Sequence, residues 1–155
     1  MKLRIISVGH KMPDWVEVAC SEYIKRMPRE LVLEIVSIKP DKRGDGKNSE
    51  AVQEAEAKRI LETAGKDFLI VSDERGQQIT TLQLAEKLKF WQGLGKDVSL
   101  VIGGADGIHS SLKQRADWLW SLSQLTLPHA FVRVLLCEQL YRAYTVTQNH
   151  PYHRE

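Results

Sequence analysis

The sequence predicts an α/β domain whose mainly parallel sheet is flanked by helices on both faces. Four runs at residues 3–8, 31–38, 68–71 and 98–102 are almost continuously apolar and rich in Ile, Val and Leu, as strands buried on both faces are. Stretches with the spacing of amphipathic helices separate these runs, and this alternation is typical of βαβ units. The length of 155 residues is that of one domain, which we expect to span residues 1–155.

Helix-end signals place the helices between the strands. The first helix is expected to begin near Pro13, because proline suits the first turn of a helix. The second is expected over about residues 49–64. The third follows Thr80, which forms a capping-box pattern with Gln83.

Two further segments have less regular patterns. Residues 40–48 contain two glycines and no large apolar residue, so we expect a mobile loop there. The last helix, about residues 130–147, carries apolar side chains around most of its circumference, and we expect it to be buried on more than one side. A central position in the core and an interface between two copies of the chain would each explain this pattern.

The composition excludes several classes of protein. Cys20 and Cys137 lie in apolar, helix-like patterns without a neighbouring thiol or ligand, which favours two buried reduced thiols over a disulfide or a zinc site. The five histidines form no metal-binding motif. A formal net charge of +2 is too small to indicate a nucleic-acid-binding protein by itself. The N-terminus lacks the apolar stretch and cleavage site of a signal peptide, so we expect a cytoplasmic protein.

A glycine-rich turn over residues 102–107 ends the last predicted strand. Open α/β sheets bind ligands at the carboxyl ends of their strands, so this turn is a candidate ligand loop. Its spacing fits neither the dinucleotide-binding fingerprint nor the phosphate loop, since Ala105 and Ile108 occupy positions that need glycine. Nicotinamide cofactors and nucleoside triphosphates are therefore disfavoured, and a tight turn without a ligand is the alternative interpretation.

Two more segments are candidates for the same crevice. Residues 73–76 form a predicted second turn, after the strand at residues 68–71, although Asp73 alone is better explained as a cap of that turn. Residues 121–128 alternate small polar and aliphatic side chains without helical periodicity. Such a segment suits a nucleoside-like cofactor because it offers main-chain groups, whereas an edge strand or a structured connection is the alternative.

The C-terminal residues 150–154 combine histidine, tyrosine and arginine. Arg154 is a candidate for phosphate contacts, and Tyr152 or His153 for stacking on a base or hydrogen bonding to it. A frayed terminus is the commoner fate of such a segment. The spacing gives no Ser-His-Asp or Cys-His arrangement, so the sequence does not support hydrolysis.

Taken together, these segments resemble the ribosomal RNA large subunit methyltransferase H family of the SPOUT superfamily, over essentially the whole chain. The resemblance rests on KMPDWV near the start, VIGG at the fourth predicted strand, WSLS and LTLPH before the last helix, VRVL within it and NHPYHRE at the end. Chance similarity over so many separated segments is implausible.

The resemblance implies a C-terminal trefoil knot and a homodimer. It also implies that S-adenosylmethionine binds in the knot and that N3 of a pseudouridine in 23S RNA of the large ribosomal subunit is methylated. The chain departs from the family pattern at Ser72, where an aliphatic residue is common, and at residues 105 and 106, where proline and glutamate are common. The residues carried over to the cofactor site are Ser72, Gly103, Leu122, Ser123, Gln124, Leu125, Thr126 and Leu127.

Methyl transfer to an imide nitrogen needs in-line positioning and the departure of the N3 proton. As a hypothesis, His153 or Tyr152, reaching the cofactor pocket of the other subunit, orients the base and assists deprotonation, while Arg142 and Arg154 contact phosphates. The competing hypotheses are a non-catalytic ribosome-binding or assembly factor of the same fold, which only Ser72 favours, and a nucleotide-binding regulator.

Overall fold

Helices and strands alternate along the computed structural model, which describes residues 1–9, 12–41, 49–103 and 107–154, with only the main chain of Arg154. The elements are β1 (Lys2–Val8), α1 (Asp14–Ile24), β2 (Val32–Ile38), α2 (Ser49–Ala64), β3 (Phe68–Gln77), α3 (Thr81–Gln92), β4 (Val98–Ile102), α4 (Ser110–Arg115), β5 (Trp118–Trp120) and α5 (His129–Thr147), followed by a 3₁₀ turn at Pro151–Arg154. This order confirms the predicted alternation.

The described strands form one parallel sheet in the order β2-β1-β4-β3-β5. Side chains alternate between its faces, so Ile5 belongs to the core under α1, α3 and α5, whereas Ile6 belongs to the core under α2 and α4. Both residues are fully buried. The predicted fold class, a parallel sheet with helices on both faces, is confirmed.

The predicted helix starts agree with those observed. α1 begins at Asp14, directly after Pro13, and α2 occupies Ser49–Ala64. At the start of α3, Thr80 Oγ1 accepts a hydrogen bond from the Gln83 main-chain N–H at 3.1 Å, and Gln83 Oε1 accepts one from the Thr80 N–H at 2.9 Å. This reciprocal pair is the predicted capping box.

α5 packs on the sheet between α1 and α3. Leu136 and Cys137 are completely buried there, and Cys137 and Cys20 are free thiols, as predicted. A core position within one subunit therefore explains most of the apolar circumference of this helix. Phe131 and Leu135 nevertheless remain 51% and 38% exposed, and an interface between two copies of the chain stays a prediction.

The prediction that a turn at residues 73–76 ends the third strand is wrong, because β3 continues to Gln77. Pairing with β5 is irregular at this point, since Ser72 and Gln77 both pair with Trp120. A bulge of this kind redirects the residues between the paired positions. The segment thus leaves the hydrogen-bonded ladder without ending the strand.

Some elements were not predicted, and some predicted segments lie partly outside the described residues. α4 and β5, which have six and three residues, were not predicted from the sequence. Residues 42–48 of the predicted loop and residues 104–106 of the glycine turn lie outside the described residues. Residues 121–128 form a connection without regular secondary structure. Among the described helices, none combines the length and apolarity needed to cross a membrane.

Candidate functional site

A cavity of about 480 Å³ opens at the carboxyl ends of β3 and β5. One wall consists of residues 72–75 in the bulge of β3, the other of residues 121–127, and Val132 of α5 also lines it. The volume is typical of small-molecule sites, and open parallel sheets bind ligands at this edge. The structure therefore places every predicted cofactor residue except Gly103 around one cavity.

Hydrogen bonds order the wall formed by residues 121–127. The Ser121 main-chain N–H donates to the Gln77 carbonyl at 2.9 Å, which ties the start of the wall to the end of β3. The Ser121 hydroxyl donates to the Ser123 carbonyl at 3.2 Å, and the Leu125 N–H donates to Ser123 Oγ at 2.9 Å. The wall can therefore present its remaining main-chain groups at fixed positions, as a ligand site requires.

Asp73 on the opposite wall is engaged by its surroundings. Its carboxylate lies 3.3 Å from Lys113 Nζ of α4, and its side chain is only 10% exposed. The same carboxylate accepts a hydrogen bond from the Arg75 main-chain N–H at 3.3 Å. These contacts support the interpretation of Asp73 as a local cap, because its carboxylate is already paired.

Gly103 lies where the chain turns back on itself. A Cβ atom at this position would lie 2.6 Å from Ile108 Cδ1 and 3.2 Å from the carbonyl carbon of Gly107, so a side chain would have to displace its neighbours. Gly103 is not among the described residues that line the cavity. Since residues 104–106 lie outside the described part of the chain, its role in binding a cofactor stays a prediction.

Two polar residues at the start of α5, the half-buried His129 and the buried Arg133, were not predicted as functional. His129 Nε2 and the Nε and Nη2 atoms of Arg133 are buried, and the described residues provide no hydrogen-bond partner for them. Burial lowers the pKa of His129, and the positive charge of Arg133 lowers it further. Burial also lowers the pKa of Arg133. Their i, i+4 spacing, which puts them on one face of the helix, was the available sequence signal.

The C-terminal tail packs against the far end of α5. The rings of Tyr152 and Tyr141 are 4.8 Å apart between centroids and meet edge to face, and the Arg142 guanidinium lies 4.9 Å from the Tyr152 centroid. Burial, followed by a hydrogen bond with Tyr23, raises the pKa of Tyr152 to about 12. The tail therefore packs at a distance from the cavity, which lies at the other end of α5.

The other residues predicted to contact RNA or to take part in catalysis lie at the same end of α5. Arg142 Nε lies 2.6 Å from Glu138 Oε1. His153 has a buried Nδ1 atom without a partner among the described residues. The side chain of Arg154 lies outside the described residues. The described part of the chain brings together no group of three or more His, Cys, Asp or Glu side chains able to hold a metal ion.

Comparison with known proteins gives a consistent match over the whole chain. A family model described as "Predicted SPOUT methyltransferase" matches residues 1–153. A relative from Methylobacillus flagellatus is 72% identical over 155 residues, covering 100% of both chains. Another, from Paraburkholderia phymatum, is 56% identical and covers 99% of both chains. Both relatives are named "Ribosomal RNA large subunit methyltransferase H".

Solved structures agree at the level of the fold. A "probable methylase family protein" from Haemophilus influenzae Rd KW20 superposes with a TM-score of 0.61 at 15% identity, over 97% of this chain and 69% of that chain. A tRNA methyltransferase from Aquifex aeolicus gives a TM-score of 0.53 at 16% identity, over 92% and 70% of the two chains. Identities this low show a shared architecture and no more.

Proposed function

The chain belongs to the SPOUT methyltransferase family, and we propose that it methylates N3 of a pseudouridine in 23S RNA, with S-adenosylmethionine as the methyl donor. Because it is 72% and 56% identical to two such relatives over almost their whole length, it is a methyltransferase of large-subunit ribosomal RNA. The methyl donor and the target atom are the proposed parts. The observation that supports the methyl donor is the cavity, whose two walls are the segments that the sequence had singled out, and the target atom is what the resemblance to the family implies.

The cavity fits S-adenosylmethionine in size and in chemistry. Its volume of about 480 Å³ suits a nucleoside joined to an amino acid, and its ordered main chain can bind the polar edge of an adenine. When bound, S-adenosylmethionine supplies a methyl group on a positively charged sulfur. The protein residues that would hold it are Ser72, Gly103, Leu122, Ser123, Gln124, Leu125, Thr126 and Leu127.

A homodimer is supported by four side chains of α1 and α5, here called the apolar patch: Trp15, Val18, Phe131 and Leu135. The rings of Trp15 and Phe131 are 5.2 Å apart between centroids, yet these residues are 49% and 51% exposed. Adjoining exposed apolar side chains are typical of protein interfaces. A second copy of the chain, related by a twofold axis, would cover the apolar patch in both subunits.

Dimerisation would also bring the tail to a cavity. The 19 residues of α5 span about 27 Å at 1.5 Å per residue, which separates the tail from the cavity of the same subunit. A twofold axis across α5 would set the C-terminal end of one α5 beside the N-terminal end of the other. Tyr152 and His153 of one subunit would then complete the cavity of its partner.

Tyr152 and His153 suit different roles, which are to orient the target base and to accept its proton. Because its pKa is raised to about 12, Tyr152 is protonated at neutral pH and is suited to donate a hydrogen bond that orients the target base. His153 is suited to accept the proton that leaves N3, since a neutral imidazole has a ring nitrogen whose lone pair can take up a proton. Arg142 and Arg154 would contact RNA phosphates beside the site.

The other parts of the proposal concern the chain as a whole. Residues 1–155 would form one domain whose C-terminal chain is tied in a trefoil knot around the cavity. The enzyme would act in the cytoplasm, where bacterial ribosomes are found. A non-catalytic ribosome-binding factor is the outcome to exclude, since Ser72 replaces an aliphatic side chain common at this position in the family.

The test incubates the purified protein with S-adenosylmethionine labelled in its methyl group. Free large-subunit RNA, large subunits and complete ribosomes, all lacking the modification, serve as separate substrates, and nuclease mapping locates the label. Label on N3 of a pseudouridine in one of them is expected. A folded protein that transfers no label to any substrate would favour the binding factor, and label on another atom would contradict the proposed position.

A further inference from the structure

His129 and Arg133 leave buried polar atoms whose partner is missing from the described chain. Arg133 is 5% exposed, and its Nε and Nη2 atoms, like Nε2 of His129, have no hydrogen-bond partner there. No ion pair joins Arg133 to a described carboxylate. Burial lowers the pKa of its guanidinium most, whereas the thiols of Cys20 and Cys137, followed by the exposed Glu17, raise it. Buried polar groups are almost always paired, and a buried unpaired cation is costly, so this pair of residues calls for a ligand.

The two residues flank Val132 in the chain and lie near the ends of β1 and β4, and neither is among the described residues that line the cavity. A Cβ atom on Gly9, directly after β1, would be 3.9 Å from Arg133 Nη2, and the His129 ring hydrogen-bonds to the main chain of Ile102, the last residue of β4. In the sheet, β4 separates β1 from β3, so two strand spacings, about 10 Å, lie between the strand beneath Arg133 and the strand that carries one wall of the cavity. Val132, which lines the cavity, lies between His129 and Arg133 in the chain.

The polar atoms at this point have a distinctive combination of donor and acceptor. His129 is held neutral by burial and by the charge of Arg133. A neutral imidazole has one donor nitrogen and one acceptor nitrogen, and the unpartnered Nε2 atom is available as the acceptor. Arg133 offers only donors. An α-amino acid matches both, because its carboxylate accepts hydrogen bonds from the guanidinium and its ammonium group donates one to the imidazole.

The start of α5 adds further donors to the same place. Pro128 is the N-cap of this helix, and no side chain caps it, so main-chain N–H groups of the first turn are available to a ligand. The positive end of a long helix favours a carboxylate. Two independent features, an uncapped helix start and a buried unpaired guanidinium, therefore select the same kind of ligand group.

We propose that Arg133 binds the carboxylate of the methionine part of S-adenosylmethionine and that His129 Nε2 accepts a hydrogen bond from its ammonium group. This assignment rests on the proposed cofactor and adds its second half: Ser72, Gly103 and residues 122–127 would hold the nucleoside, and the start of α5 would hold the amino acid. Both are positioning residues, since neither is expected to touch the transferred methyl group.

The test compares three ligands by isothermal titration calorimetry on the full-length protein. S-adenosylmethionine carries both groups, its decarboxylated analogue keeps only the amine, and 5′-methylthioadenosine lacks the amino acid. In Arg133→Met, affinity for S-adenosylmethionine is expected to fall tenfold or more, as for loss of a charged hydrogen bond, while the other two affinities stay unchanged. In His129→Phe, both amine-bearing ligands are expected to weaken, and 5′-methylthioadenosine is not.

Controls separate binding from folding. Arg29→Met removes an exposed arginine and should leave all three affinities unchanged. Arg133→Lys keeps the charge and should weaken only S-adenosylmethionine, by less than Arg133→Met does. The ligand-free Arg133→Met protein should unfold at or above the wild-type temperature, because it no longer buries an unpaired charge.

Three results would overturn the assignment. One is an equal loss of all three affinities in Arg133→Met, which would indicate a purely structural role. Another is an unchanged affinity for S-adenosylmethionine in that variant. The third is a wild-type protein that binds none of the three ligands, and only this result would also overturn the proposed cofactor.

Discussion

Gly76 lies so close to Leu119 that a Cβ atom at position 76 would be 2.7 Å from the Leu119 carbonyl oxygen, and equally close to the carbonyl carbon of Trp120. These are main-chain atoms of β5, which cannot rotate away as a side chain can. The absence of a side chain at Gly76 therefore allows β5 to lie against the bulge of β3. Since Ser121 follows β5 directly, this contact also fixes where the second wall of the cavity begins.

Substitution of Gly76 by alanine should lower the free energy of unfolding by roughly 1–3 kcal/mol, the usual cost of overpacking a close contact. Urea denaturation followed by circular dichroism measures this change. Gly93→Ala is the matched control, because its nearest neighbour would be a carbonyl oxygen at 3.4 Å and its backbone is helical. Equal stability of the two variants would show that the contact between β3 and β5 does not require glycine at position 76.

The elements found from sequence are those whose signals are local. The capping box of Thr80 and Gln83 needs only four consecutive residues, and the long apolar runs of the central strands are visible without knowledge of their partners. β5 has three residues and exists because it pairs with β3, a tertiary relationship with no local signal. α4 is capped by the side chain of His109, which accepts from the Ser111 N–H, and histidine is not among the usual capping residues.

The candidate site also contains residues that the sequence pointed to and residues that only the tertiary structure reveals. Residues 121–127 stood out because their alternation excludes a helix, and the resemblance to a family gave them a role. His129 and Arg133 escaped notice because polar residues at the start of a helix normally face water. Their burial follows from the packing of α5 against α1 and from the position of Gly9 and Ile102 beneath them, and the sequence of α5 alone does not contain this information.

Replacing Phe131 by aspartate should convert a dimer into monomers, because a charge would lie in the middle of the apolar patch. Sedimentation velocity at micromolar concentration measures the change. Leu82→Asp serves as the control, since Leu82 is 65% exposed on α3 and does not belong to the patch. A wild-type protein that sediments as a monomer under these conditions would rule out the proposed dimer.

Tyr152 should ionise near pH 12 in the folded protein, above the usual tyrosine pKa of about 10. Subtracting the ultraviolet titration of Tyr152→Phe from that of the wild type isolates this transition. Its pKa is raised in the folded state, so its contribution to stability is complete below pH 10 and is lost as the pH rises towards 12. Arg142→Met should move the midpoint higher still, because Arg142 lowers the pKa of Tyr152.

His129 should make the protein less stable in mild acid. Its pKa is lowered in the folded state by burial and by the charge of Arg133, so the unfolded chain takes up a proton that the folded chain resists. The free energy of unfolding is expected to fall as the pH drops below about 6.5, the usual histidine value. Urea titrations from pH 7.5 to 5 should show a smaller fall in the free energy of unfolding for His129→Gln than for the wild type. An identical fall would contradict the lowered pKa of His129.

Mixed dimers test whether a cavity uses the tail of the other subunit. Ser123→Trp should fill the cavity but leave its own tail intact, whereas the double variant Tyr152→Ala, His153→Ala keeps its cavity and lacks the tail side chains. Each variant alone should be inactive. In a twofold dimer formed at random from equal amounts of both, half of the dimers are mixed and each has one complete site, so about a quarter of wild-type activity should return. If a subunit used its own tail, no mixed dimer would contain a complete site and the mixture would stay inactive. Transfer of labelled methyl groups by the unfractionated mixture decides between the two arrangements, and mixed dimers purified through a different tag on each subunit should show about half of wild-type activity.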